Sequence, residues 1–331
     1  MRPRFLRAGE TVPAHSLVVD CGLTGAATYS HWQGAPATPV ELLGDSSTAM
    51  VLNAARDPAR WLSGFAWVVN DHIDADGLLA LAVACDPAVA LAHADLLIGA
   101  AEAGDFSAWP GEAPFQLMLR LHRLIADEQA AGGAWEQRAM EAAAGHLPDL
   151  IAESRGDRFA QVAQRVARQR RTIADGFTIT RRPRVTAIAW DERGGHRSDS
   201  FLWTGEDDDL PPWVFAGVGT PADFHLLAMT PKTGGTVYWL LAPGHSWARV
   251  VARPTVTWPD LGGLVMELQR LERGPGRWVG GSAARAHGFV CQLACTVGDQ
   301  LQASSLPIAT VLPLIDAALA TNAGLGEPQL A

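Results

Sequence analysis

"GFAWVVNDHIDADGLLALAVAC", residues 64–85, sets an apolar run, a group of acids with one histidine, and a second apolar run end to end. The first run, up to His72, reads as a buried strand, because valine and aromatic residues run together and stop at polar ones. The second opens at Gly77 and stops at Asp86-Pro87, which reads as a helix. Between them stand Asp71, His72, Asp74 and Asp76. In an extended segment His72, Asp74 and Asp76 share a parity and point to one side, while Asp71 faces away, to orient His31 or cap the helix. Carboxylates with one imidazole suit manganese, iron or magnesium better than a closed structural zinc site. The alternative is that the acids cap the helix starting near Gly77, where its positive end favours them.

Upstream, "SLVVD" (16–20) and "AATYSH" (26–31) read as two more short strands, ending on Asp20 and His31. Ligand sites of open α/β sheets lie just beyond the carboxyl ends of their strands, so these endings form a coherent set with His72. "DSSTAMVLNAAR" starts a helix with Asp45 or Ser46 as its N-cap, and "AVALAHADLLIGAAEAG" reads as one further helix. Alternation of strand and helix predicts an α/β fold over residues 1–112, a mainly parallel sheet flanked by helices. Residues 113–180 are helical in pattern, with apolar positions at 115, 117, 118, 121, 124 and 125, and complete or flank that domain. A boundary near Thr180 then opens a smaller α+β domain, 181–331. Its strands are "VTAIAW", "DSFLW", "FHLLAM", "TVYWLLA" and "WARVVA", and its helices "DLGGLVMELQRLE" and "IATVLPLIDAALA".

The chain has 331 residues and a net charge of −9, which argues against general binding to duplex DNA, where cationic neutralisation of phosphates dominates. Lys232 is the only lysine, so almost all positive charge is arginine. Cys21, Cys85, Cys291 and Cys295 have neither zinc-knuckle spacing nor the density of a disulfide framework, and read as reduced core residues. The amino terminus lacks the apolar stretch of a secretory signal, and the most apolar run is broken well short of a membrane span. The expected location is the cytoplasm, without membrane attachment.

"HIDADG" resembles the first motif of the DHH phosphoesterase superfamily, whose members use a two-metal centre, usually manganese. "SLVVDCG" resembles its second motif, "ATYSHWQG" stands where DHH would be, "GDSSTAMVLN" resembles the helix start that follows DHH, and "LLIGAAEAGDF" resembles the last motif. The order is second, third, first, fourth, a circular permutation. The resemblance implies the metal ligands Asp20, His31, His72, Asp74, Asp76 and Asp105, with Asp95 as the rival for the last place. Asp76 is expected to bridge two ions, and Asp76, His72 and Asp74 to carry the catalytic work. Two manganese ions are implied, with iron, magnesium or zinc as alternatives. Ser30 and Trp32 flank His31 where the family has its Asp and second His.

The implied activity is hydrolysis of a phosphoester or phosphoanhydride in a small phosphorylated molecule or short nucleotide, with a homodimer as one option. A non-hydrolytic metal- or ligand-binding regulator, or a dinuclear metal enzyme acting on a non-phosphate substrate, is the alternative. "GxSxG" is absent, so no serine triad is expected. In the second domain Arg249 and Arg253 share a face if their segment is a strand, and with Arg285 and His287 they are the candidate substrate contacts. Surface arginines on an edge strand, and a glycine-bearing turn, are the plainer readings of those two segments.

Overall fold

The computed structural model describes residues 1–24, 27–191, 212–218, 224–256, 258–280, 291–298 and 300–321. The chain divides into two compact units, Met1–Gln164 with Trp247–Pro254, and Arg165–Ser246 with Thr255–Ala331.

The first unit is α/β. Its strands are β1 (Arg2–Phe5), β2 (Ser16–Val19), β3 (Ala27–Tyr29) and β4 (Trp67–Asn70), paired in the order β1-β4-β2-β3 with every pairing parallel. Ser16–Val19 is buried throughout, as a central parallel strand should be. β1 escapes detection in the sequence because "RPRF" carries two arginines and a proline, composition suited to a sheet edge. The helices are α1 (Ser47–Ala55), α2 (Pro58–Trp61), α3 (Ala75–Cys85), α4 (Pro87–Leu91), α5 (Ala94–Asp105), α6 (Glu112–Ala131), α7 (Trp135–Gly145), α8 (Leu147–Ser154) and α9 (Asp157–Gly176).

α3 is central: Ala75 through Ala84 are all buried, and it packs against α1, α5 and α7 as well as β4. A helix buried on all sides carries apolar residues without period, which is what "LLALAVA" shows. The single helix expected after Pro87 is two, because α4 ends at Leu91 and α5 restarts at Ala94 with His93 in the N-cap position. α6 buries Phe115, Leu117, Met118, Leu121 and Leu124, the positions its periodicity marks. The division between units falls inside α9, between Gln164 and Arg165, ahead of the compositional change near Thr180.

The second unit holds β5 (Thr178–Arg181), β6 (Val185–Asp191), β7 (Phe224–Thr230), β8 (Val237–Leu241), α10 (Gly262–Leu271), β9 (Arg277–Gly280), β10 (Cys291–Val297), β11 (Gln300–Leu301) and α11 (Ile308–Thr321). The sheet runs β11-β10-β8-β7-β6-β5 with β9 beside β10; β6 and β7 are parallel and the other pairs antiparallel. Leu226, Leu240 and Leu293 of the strands pack with Leu264 and Leu268 of α10 and with Val311 and Ile315 of α11 in one apolar core. Trp190 and Trp239 stack at 6.2 Å, and Phe177 stacks on Trp190 at 5.2 Å.

Two expectations change here. "WARVVA" is not a strand: Ala248 makes one isolated bridge to Trp32, and the segment belongs to the first unit. "DSFLW", Arg285 and His287 lie outside the described residues. Among the described residues no helix is long and apolar enough to cross a membrane.

Candidate metal centre

Strand register builds the centre. Val19 pairs with Tyr29, and Val18 with Val69, so the residues that leave the strands, Asp20, Ser30 and Asp71, come out abreast. His31 and His72 follow one position further on. Asp20 turns at φ 55°, a left-handed conformation that costs a non-glycine residue about 1–3 kcal/mol and marks a site where geometry outweighs comfort. Its carboxylate is fully buried.

Asp74 and Asp76 reach the same place by a route other than strand parity. Asp74 is the N-cap of α3, its side chain accepting from the Gly77 N–H at 2.8 Å, and Asp76 lies in the first helical turn. The capping reading holds for Asp74, and a capping carboxylate keeps a second oxygen that could serve an ion. Asp76 is fixed from the opposite side: Ser47 N–H donates to Oδ2 at 2.7 Å and Thr48 N–H to Oδ1 at 2.8 Å, placing it on the N-terminus of α1. Ser46 caps that helix through Ala49 N–H, which leaves Ser47 and Thr48 N–H free for Asp76. A Cβ on Gly77 would collide with Asn70 Nδ2 and stand 3.1 Å from Asp20 Oδ2, so the glycine of "DADG" is a steric requirement.

The donors form two groups. Asp20, His31, Asp76 and Asp105 make a buried set, and Asp20, His72 and Asp74 a more open one, each with ligand atoms within 4.8 Å of one another. His31 Nε2 is 3.4 Å from Asp105 Oδ2 and 3.6 Å from Asp20 Oδ1, and its Nδ1 is 3.4 Å from Asp76 Oδ2. His72 Nε2 stands 3.3 Å from Asp20 Oδ2 and 3.2 Å from Asp74 Oδ2, while Asp71 Oδ1 holds its Nδ1 at 3.0 Å. All of the expected ligands thus converge. The shared carboxylate is Asp20, one oxygen toward each histidine, where Asp76 had been the expected bridge.

Asp20 Oδ2, His31 Nε2, His72 Nε2 and Asp105 Oδ2 are buried and make no hydrogen bond. Buried polar atoms are nearly always hydrogen-bonded, and these meet only one another, in His–carboxylate contacts of 3.2–3.6 Å, an arrangement compatible with an ion among them. Burial, then the charges of Asp74 and Asp76, push the Asp20 and Asp105 carboxyls well above the usual carboxylate range. Burial pulls His31 down. For His72 burial also works downward, but Asp20, Asp71 and Asp74 outweigh it and the imidazole is raised. Carboxylates crowded this way are relieved by a cation, and mixed carboxylate and imidazole donors suit a divalent one. The buried Asp/His cluster could hold such an ion.

Asp95 stays outside both groups; Asp105, at the end of α5, is the member. Asp71 orients His72, not His31. Arg249 and Arg253 do not form a strand-borne pair facing a ligand. Arg249 donates to the Ser30 and Ala35 carbonyls, and Arg253 pairs with Asp45 and Glu102. Sequence reading also missed Trp32 and Trp247. Trp32 Nε1 donates to Asp20 Oδ1 at 3.2 Å, and Trp247 meets the His31 ring edge-on at 5.0 Å. The adjacency of Trp32 to His31 was the available signal for the first; nothing local marks Trp247.

No curated protein and no solved structure matches the chain. One family model does, over residues 1–323, and the chain belongs to that family, a family of unknown function designated DUF6687.

Proposed function

We propose that this chain is a divalent-metal-dependent hydrolase of phosphoester or phosphoanhydride bonds in a small molecule or short nucleotide. It would be of the DHH type, with permuted motifs and manganese as its metal, acting in the cytoplasm. The observation that carries this reading is the convergence of four buried polar atoms without a hydrogen bond, on Asp20, His31, His72 and Asp105, just past the ends of parallel strands and at the end of α5. Asp20, common to both donor groups, suits a pair of ions better than one. Divalent ions held there supply two things, a water of lowered pKa and polarisation of a phosphoryl oxygen.

The protein side of the work divides by exposure. His31 and Asp20 are sealed, while the side chains of His72 and Asp74 are 30% and 37% exposed and form the face a substrate would meet. Asp71 fixes the His72 ring, so that Nε2 points inward without rearrangement. The backbone N–H groups of Ser47 and Thr48 hold the Asp76 carboxylate in place.

The test is metal content of the purified protein, followed by phosphodiesterase and phosphatase assays with and without manganese, for wild type and Asp76→Ala. Manganese-dependent turnover lost in the variant supports the reading; absence of any bound divalent ion sinks it. Bound metal without phosphoester turnover would favour a non-phosphate substrate or a non-hydrolytic binding role. One observation speaks for that second reading: Arg249 and Arg253, the expected phosphate contacts, are engaged with the protein itself.

A further inference from the structure

We propose that residues 247–254 form a strap whose role is to hold the buried ligand group in its binding geometry, making Trp247 and Arg249 positioning residues for the metal. This rests on the metal reading above and goes beyond it, because nothing in a strand-end centre requires a segment so distant in sequence.

The strap has no regular secondary structure, and Val251 is 54% exposed, so it is not there to fill a core. Its polar groups are spent on the elements that carry the ligands. At one end Arg249 N–H donates to the His31 carbonyl at 2.7 Å, its guanidinium reaches the Ser30 and Ala35 carbonyls, and Ala248 bridges Trp32. The indole of Trp247 meets the imidazole of His31 at 5.0 Å and the ring of Phe106 at 6.1 Å. At the other end Val251 and Ala252 N–H donate to Asp45 Oδ1 at 2.6 and 2.8 Å, just ahead of the α1 N-terminus that grips Asp76. Arg253 pairs with Asp45 and with Glu102, and lies over the Phe106 ring at 5.2 Å; Glu102 and Phe106 flank Asp105. A single short segment thus ties together the His31 loop, the helix end holding Asp76 and the last turn of α5.

The need for such a tie is physical. His31 Nε2 makes no hydrogen bond within the protein and Nδ1 has only long contacts, 3.5 Å to the Ser47 hydroxyl and 3.4 Å to Asp76 Oδ2, so neighbouring rings and the main chain add to what sets the imidazole's direction. Its neighbours are the crowded carboxylates of Asp20, Asp76 and Asp105, so a fixed main chain at His31 keeps the imidazole among them.

The experiment compares full-length wild type with Arg249→Ala, Trp247→Ala and Trp247→Phe. Mn2+ affinity is measured by calorimetry, Co2+ geometry by the visible d–d spectrum, and folding of the metal-free protein by circular dichroism. Loss of outer contacts to metal ligands typically weakens binding ~10–100-fold. That loss is expected for Arg249→Ala and Trp247→Ala, with an altered Co2+ spectrum, whereas Trp247→Phe keeps a ring edge on His31 and stays near wild type. Arg249 is exposed, so its alanine variant tests the strap even if Trp247→Ala does not fold. Wild-type affinity and spectrum in Arg249→Ala overturn the strap and leave the metal centre standing; a wild type that binds no divalent ion overturns both.

Discussion

Two carboxylate environments of this molecule, the half-buried Glu272 and the sealed Asp20 and Asp105, contrast sharply. In the second unit, Glu272 collects Arg273, Gly274 and Ser305 N–H on Oε1, and Trp278 Nε1 and the Ser304 hydroxyl on Oε2. Burial alone would raise its pKa, but the Ser304 and Ser305 donors prevail and hold it at about 2. In the first unit, Asp20 and Asp105 have fewer donors, acids for neighbours, and carboxyls pushed upward. The donor supply is what differs. A carboxylate saturated by protein donors is a structural joint, while a cluster that lacks them has room for a donor or cation from outside the chain.

The contrast breaks most visibly at Asp20. Asparagine tolerates the left-handed conformation and can still accept from Trp32 and Ser47, so Asp20→Asn removes only charge. Divalent affinity measured by calorimetry should fall on the order of 100-fold or more, while stability of the metal-free protein in urea should rise by about 1 kcal/mol as repulsion is relieved.

Metal itself should stabilise the wild type. At a hundred times its dissociation constant, an ion that binds only the folded state adds about 2.7 kcal/mol, readable as a higher thermal midpoint with Mn2+ and absent in Asp76→Ala.

Gly77→Ala sharpens the steric side of the comparison. The added methyl meets Asn70, and the overpacking should cost about 1–3 kcal/mol in urea unfolding, with weaker metal binding as well.

Glu272→Gln is the control from the other environment. Losing the charge-assisted bonds should cost about 1–2 kcal/mol and leave metal affinity unchanged. The sign with pH follows from the lowered pKa. Glu272 stabilises the fold fully above the ordinary glutamate range, and that contribution fades as pH falls from there toward about 2, a dependence the glutamine variant should lack.

The smallest effect concerns thiols. Burial pushes Cys21 and Cys295 up to about 12, so both should react with iodoacetamide at neutral pH far more slowly than a free thiol.

Much of the first unit was legible because its signals are local. The strands expected at 16–20, 26–31 and 64–72 appear as the shorter β2, β3 and β4, with Asp20, His31 and His72 one or two residues past their ends, and Ser46 caps α1 as its sequence suggests. Asp74 and Asp76 were picked for the wrong reason: their convergence is set by the cap and first turn of α3, and a strand's parity only mimics it. The roles of Arg249 and Arg253 were misread because alternation in "WARVVA" says nothing of whether a strand partner exists, and here there is one bridge only.

What the sequence determined by itself is the approximate placement of the candidate ligands, since a strand end, a helix start and a glycine after "DAD" are properties of a few neighbouring residues. Which carboxylate is common to both donor groups, which histidine is sealed, and which distant segment packs against it were decided only by tertiary structure. Those depend on strand register and on hydrogen bonds between residues far apart in the chain, where pairing is a competition among many donors and local pattern carries no record of the winner.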